Sequence, residues 1–272
     1  MKKILRTIKA LLKKDFLNAL SYKMQFFSSI VGTIITVSIF FFISQIFSLN
    51  DSDVLEKYNN DFFNFIFMGI IMSELSYLMI TSLSNEINNY RVTGTFEEIL
   101  SVETPDIILI LSSYAYPITA FFFKFLIYLM LGYFIFNLNL IPDYGFLIFL
   151  LITLISLISL IGIGLIASSY ALVFLKGNPF TALYSTAVTL LGGVVFPVEV
   201  LPEFLSFVSF IIPMTHSLEL LRGPTDIILM SNEFFFHLKS LILLSSIYLV
   251  LGYLLTKKAF KIAKKNGSLL IY

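Results

Sequence analysis

Apolar residues fill most of this chain in runs long enough to cross a bilayer. A helix spanning about 30 Å of hydrocarbon needs roughly 20 such residues. Segments at about 26–47, 62–84, 116–137, 145–172, 180–197 and 235–256 qualify, and they predict six transmembrane helices. Two stretches depart from the pattern. Over residues 2–20, Ile4, Leu5, Ile8, Leu11, Leu12 and Phe16 recur at helical spacing, with Lys2, Arg6, Lys9 and Lys13 on the other side. That stripe predicts an amphipathic helix lying in the membrane interface beside anionic headgroups. Over residues 192–223 an apolar segment carries Pro197, Pro202 and Pro213, so it cannot be one uninterrupted helix. Irregular backbone at membrane depth survives only where protein or a water-filled cavity covers it. Two short proline-started helices at one membrane face predict a gate or vestibule, which points to transport. Pro202 is expected in the first turn of the first of them. Leu205, Val208 and Ile212 are expected to share a packed face, with Glu203 near water.

Composition places the chain among all-α polytopic membrane proteins. Only 13% of its residues are charged and 58% are hydrophobic, whereas soluble domains average about 25% charged. Lys and Arg collect before the first span, from Lys2 to Lys23, and after the last, from Lys257 to Lys265. The loop at 48–61 is acidic instead, with Asp51, Asp53, Glu56 and Asp61. By the positive-inside bias both termini are cytoplasmic, the span count is even, and 198–234 lies outside. The first apolar run exceeds a signal-peptide core of about 7–15 residues and no small-x-small site follows, so it is expected to be a retained span. The absence of cysteine excludes thiol catalysis, disulfides and thiolate metal sites.

The loop at 85–115 is longer than a plain connection. Thr95-Phe96-Glu97-Glu98 has the form of a capping box, in which Thr95 and Glu98 satisfy each other's amides. Gly94 permits a tight approach, Phe96, Ile99 and Leu100 share a face, and Pro105 ends the turn. A short acidic helix of this kind would be repelled by anionic headgroups, so a protein partner is expected to cover it. Two charges stand at membrane depth. Glu74 lies midway through the second span, and Lys124 about a third of the way into the third. Glu74 is a transport candidate, a neutral structural acid, or the partner of Lys124. Arg222 is expected to cap the second outer helix and pair with Glu219 or Asp226, with Gly223 beyond it. Only His216 and His237 are present, about twenty residues apart, so neither a metal site nor a histidine-based nucleophile is expected. No phosphate-binding G-x-x-x-x-G-K-[ST], H-E-x-x-H or G-x-S-x-G occurs. Nothing points to nucleic acid.

Two motifs resemble those of ABC-2 type transporter permeases, the membrane subunits of ATP-binding-cassette exporters. The first is Arg91-Val-Thr-Gly94-Thr95-Phe96-Glu97-Glu98-Ile-Leu100 followed by Thr104-Pro105. The second is Gly193-Val-Val-Phe196-Pro197 with Leu201-Pro202, then Pro213-Met-Thr215 and Leu221-Arg222-Gly223. The interfacial helix, six spans and length agree with the same family over nearly the whole chain, taken as one transmembrane domain. The resemblance implies a non-enzymatic permease in the plasma (inner) membrane, with ATP and Mg held by two copies of a separate ABC ATPase subunit. It also implies a second permease subunit, a homodimer in the simplest case, with the first and fifth spans lining the interface and path. The helix at 95–104 becomes the coupling helix, with Glu97 at the family's acidic position. Helices at about 202–212 and 215–222 become a re-entrant extracellular gate. No cofactor or catalytic set in this chain is implied. The Phe-Pro-x-x-x-Leu-Pro form is similar to the drug- and antibiotic-export branch.

Other readings remain distinguishable. A permease for lipid-linked polysaccharide would have the same fold. An ion-coupled transporter using Glu74 and Lys124 would ordinarily show paired broken helices and inverted repeats, whereas this sequence has one broken region. An intramembrane enzyme lacks its motifs. For the topology, single cysteines at Asp53, Glu203 and Asn266 provide the test with an impermeant thiol reagent on intact cells. The first two should label and the third should not; labelling at Asn266, or protection of both others, excludes six spans.

Overall fold

The computed structural model describes residues 2–21, 23–47, 62–96, 98, 108, 112–136, 138, 146–174, 178–222 and 231–266. The described residues form helices and turns with no strand, as the apolar runs require. In chain order the helices are α1 (Lys2–Ser21), α2 (Lys23–Phe47), α3 (Phe62–Val92), α4 (Ala115–Phe134), α5 (Phe146–Val173), α6 (Pro179–Leu191), α7 (Glu203–Ile211), α8 (Pro213–Arg222) and α9 (Asn232–Asn266). Five of them, α2, α3, α4, α5 and α9, are long and apolar enough to cross a membrane.

Three spans differ from the sequence reading; the last, expected over 235–256, runs from Asn232 to Asn266. The second was expected to end near 84, but α3 stays helical to Val92. Its polar last turns hold because their side chains find partners on neighbouring helices. The fifth was expected over 180–197, but α6 has 13 residues, about 20 Å of helix at 1.5 Å per residue. It stops at Leu191, so the fifth segment is a short helix joined to the broken stretch.

The end of α3 shows how local chemistry sets a boundary. Gly94 has φ 69°. Its amide donates to the Arg91 carbonyl at 3.1 Å, and the Thr95 amide to the Tyr90 carbonyl at 3.0 Å. These bonds satisfy the last orphan carbonyls in the manner of a Schellman motif, with glycine in the left-handed position. Gly94 therefore stops the second span, where the sequence reading had it open the next helix.

α3 is the buried axis of the bundle, with Phe67, Ile71, Leu75, Met79 and Ile80 almost fully enclosed. α5 lies against it on one side and packs most extensively on α9 on the other. Glycines make this sandwich possible. A Cβ on Gly162 would collide with the backbone at Tyr248 and Leu249, and one on Gly252 with the carbonyl of Gly162. Two residues on, Gly164 turns toward α3, where a Cβ would collide with the Tyr114 hydroxyl and the Met79 carbonyl. Helices in lipid gain little from apolar burial against one another, so close backbone approach at small residues matters. The outward faces of α4 and α9 stay apolar and exposed, for example Phe123 and Leu243, as lipid contact requires. Near the start of α3, Phe41, Phe63 and Phe136 pack ring on ring at 4.8–5.1 Å.

Gly162→Leu should force α5 from α9 and lower stability by about 1–3 kcal/mol, the usual cost of overpacking. Leu243→Ala on the exposed face of α9 should change it by less than about 0.5 kcal/mol. Thermal unfolding of the detergent-purified protein measures both.

Candidate functional site

The broken stretch after α6 is built from glycine and proline in succession. Gly193 takes φ 76°, a conformation other residues adopt at a cost. Pro197 is extended and precedes a single 3-10 turn, Val198–Val200. Pro202, also extended at φ −54° and ψ 148°, is the N-cap of α7, one position before the first turn where the sequence reading had it. After the extended Ile212, Pro213 opens α8. The axes of α7 and α8 differ by 92°, so the expected pair of short helices is present, meeting at a right angle.

The two helices differ in depth. α8 is buried along nearly its whole length, and Ser217 meets Ser156 of α5 at 2.7 Å between hydroxyl oxygens. α7 is shallower. Its inner face is Leu205, Ser209 and Ile212, while Val208 is 40% exposed. The expected Leu205–Val208–Ile212 face is thus rotated, because the four-residue step to Ser209 follows the 3.6-residue period more closely from Leu205. Glu203 is exposed, as expected. Phe196 and Leu201 are half-buried and Pro197 is buried.

Arg222 does more than end α8. Its guanidinium donates to the carbonyls of Gly193 and of Val194, the latter at 3.0 Å, and lies 3.6 Å over the ring of Phe65. Gly69 of α3 leaves the room for this: a Cβ there would collide with the Val194 carbonyl and the Arg222 guanidinium. The last turn of α8 is thereby tied to the bend after α6, and both to α3. The expected pairing with Asp226 falls outside the described residues.

A cavity of about 400 Å³ lies beneath this bend. It is walled by α2 between Ser29 and Phe40, α3 between Ile66 and Tyr77, and Lys124 and Tyr128 of α4. Thr189, Val194 and Val195 complete it. Glu74 and Lys124 meet in its wall at 2.5 Å. Of the alternatives open for Glu74, the structure brings the two charges together.

At the other end of α3, Arg91 is buried and donates to the carbonyls of Ala171 and Leu172 at 2.5 and 2.7 Å. It caps the end of α5 instead of facing outward with the acidic helix. Lys14 of α1 pairs with Glu86 and with Tyr90, the latter at 2.8 Å. Burial works against the charge on Lys14, but the hydrogen bonds it donates to Glu86 and Tyr90 outweigh this and raise its pKa. Burial, then the nearby Glu86, raises the pKa of Asp15 against the opposing pull of Lys14. Phe96 is buried and stacked on Tyr90. The Thr95 hydroxyl meets that of Thr93 at 2.8 Å. Glu97, Leu100 and most of the expected helix at 95–104 lie outside the described residues, and Glu98 is described only as helical and exposed.

Sequence reasoning missed several arrangements. His216 and His237, far apart in the chain, have their Nδ1 atoms 2.9 Å apart, and His216 Nε2 donates to the Phe210 carbonyl at 3.0 Å. Asn178 donates to Ser84 of α3 and to the Ala167 carbonyl of α5, both at 2.9 Å, and so fixes the start of α6. The Asn178-Pro179 pair was a readable helix start; the partners were not readable. Among the described residues no cluster of three or more His, Asp or Glu could hold a metal ion.

The family model described as ABC-2 type transporter matches residues 6–224. No curated protein matches the chain.

Arg222→Lys keeps the charge but loses the planar fork that reaches two carbonyls. It should cost about 1.5–3 kcal/mol, the value of a hydrogen bond to a charged group. Glu203→Gln, at the exposed start of α7, should leave the thermal transition unchanged.

Proposed function

The chain belongs to the ABC-2 type transporter family, and from that premise we propose that it exports a small amphipathic or hydrophobic molecule, of the drug, antibiotic or lipid-like kind. As the permease component of an ABC transporter it works with an ABC ATPase subunit. In this reading two ATPase copies, carrying ATP and Mg, serve two copies of the permease in the plasma membrane, with both termini cytoplasmic. The exposed faces of α2 and α6 meet across the dimer.

The observation that carries the reading is the cavity and its roof. Val194 and Val195 of the bend close one end, and Arg222 holds that bend in place. The walls continue along α2 as far as Ser29, near the start of α2, which follows the basic α1. With the positive-inside orientation, Val194 and Val195 stand toward the extracellular face and Ser29 toward the cytoplasm. A volume of about 400 Å³ is within the usual range for small-molecule sites, about 300–1,000 Å³, and favours a single small molecule over a sugar polymer.

Motion would enter through the coupling loop. Phe96 stacks on Tyr90, and the last turn of α3 carries Arg91, which grips α5, while Glu86 grips α1. A push on Phe96 therefore reaches three helices as one body. α3 carries that push to Gly69 and Phe65 under the outer bend, and closure at one end is exchanged for opening at the other. Alternating access of this kind needs discrete packed states, and the paired contacts at both ends of α3 supply candidates for them.

Replacing Glu97 and Glu98 with Lys should weaken ATPase association by about 1–3 kcal/mol, through lost rim charge and N-terminal capping, while the permease still inserts. Co-purification and ATP-driven efflux from inverted vesicles provide the measurement. An intact complex with unchanged stimulated ATPase activity would remove the coupling role. Uptake driven by an ion gradient without ATP would establish the ion-coupled reading, and export of a lipid-linked glycan would establish the polysaccharide reading.

A further inference from the structure

We propose that the cavity at Glu74 and Lys124 is a headgroup site for a zwitterionic amphiphile, an inference that rests on the export reading above and names its substrate class. The pair joins α3 to α4, and its side chains are not sealed: Glu74 is 26% and Lys124 20% exposed, and both line the cavity. Two charges meant only to lock two helices would be better enclosed, with every lone pair and proton satisfied.

The wall around them has a definite hydrogen-bonding sense. Thr33 donates its hydroxyl proton to the Ser29 carbonyl at 3.0 Å, Ser73 to Ile70 at 2.9 Å, and Thr189 to Ser185 at 3.0 Å. Ser73 and Thr189 spend their donors on their own helices and keep lone pairs for whatever stands opposite, while Thr33 also meets the Tyr128 hydroxyl. The wall is therefore rich in acceptors, with the rings of Tyr77 and Tyr128 beside it. Acceptors, π-faces and the Glu74 carboxylate all suit an ammonium group. The anionic counterpart of that group falls to Lys124. Phe40, Ile66, Ile70 and Val195 leave the rest of the cavity apolar, for the start of a tail.

Charge accounting selects among ligands. A simple cation draws Glu74 away and leaves Lys124 without a counter-charge in a low-dielectric site. A simple anion does the reverse. A neutral headgroup leaves the pair intact and gains only hydrogen bonds. A zwitterion supplies a counter-charge to each partner, so the ion pair opens without leaving either charge alone. The pair then acts as a filter against singly charged amphiphiles, because an uncompensated buried charge is the costly alternative.

The test uses four single-chain amphiphiles of matched tail length. They are a lysophosphatidylethanolamine (zwitterionic), a lysophosphatidylglycerol (anionic), an alkylamine (cationic) and a monoacylglycerol (neutral). Each carries a photoreactive group near the headgroup and is bound to the purified permease–ATPase complex in neutral detergent. The zwitterion should label peptides of α2, α3 and α4 and bind at least about tenfold more tightly than the other three, given the cost of stranding one charge. Lys124→Gln should move the preference toward the cation, and Glu74→Gln toward the anion. The exchanged pair, Glu74→Lys with Lys124→Glu, should restore the zwitterion preference. The wild-type ranking decides by itself should a variant fail to assemble. Equal affinity for all four headgroups, or a ranking indifferent to Glu74→Gln, overturns the headgroup site. Either result leaves the export reading standing if ATP still drives an apolar probe across the membrane. Selective labelling of the cavity by the zwitterion, with no ATP-dependent movement of any probe, upholds the site and removes the export reading.

Discussion

The guanidinium of Arg222 reaches from the end of α8 to the carbonyls of Gly193 and Val194, and it lies on the ring of Phe65. Those carbonyls belong to backbone that has left the helix, in a chain whose surroundings offer little water. Left unpaired there, each would cost several kcal/mol. One planar side chain answers both, and a lysine could not do so with the same geometry. The bend, the buried α8 and the roof of the cavity all depend on this closure. It requires Gly69 on α3, since any side chain there would occupy the space the guanidinium and the Val194 carbonyl share.

The same logic recurs along α3, at a different depth each time. Near its start, Phe65 and Gly69 receive the bend after α6. At its centre, Glu74 meets Lys124 of α4. At its end, Glu86 holds α1 through Lys14, and Arg91 caps the final carbonyls of α5. In an apolar bundle where dispersion and close approach supply cohesion, these few polar contacts decide which helices move together. In the proposed mechanism, α3 is the element that would carry a displacement at the loop after it to the bend after α6. α5 follows it through Arg91, and α9 follows α5 through the Gly162–Gly252 crossing.

The bent pair of α7 and α8 illustrates how far a local motif goes. Pro197, Pro202 and Pro213 announced that this segment could not be one helix, and the chain is extended at or just before each. Their spacing did not say that α8 would be buried and α7 shallow, or that Ser209 would replace Val208 on the packed face. Proline acts through its own ring and missing amide, so its effect is local and readable. Depth is a property of the neighbours, chiefly α5 and α9, which the pair meets only after the chain has folded.

The helical class, the amphipathic α1, the long spans and the broken segment after α6 were determined by the sequence, because each rests on interactions within about twenty residues: apolar length, helical periodicity, glycine and proline. Motif order was enough to identify the ABC-2 type transporter family, which the match over residues 6–224 bears out. Tertiary structure decided where the polar groups go. Arg91, assigned by its motif to the coupling loop, turned inward to α5. Arg222, assigned to its own helix end, crossed to residues 193 and 194, and His216 met His237. A charge in a low-dielectric setting takes whichever partner the packed backbone brings within about 3 Å. That partner stands 20 to 80 residues away in the chain, at a distance no local pattern encodes.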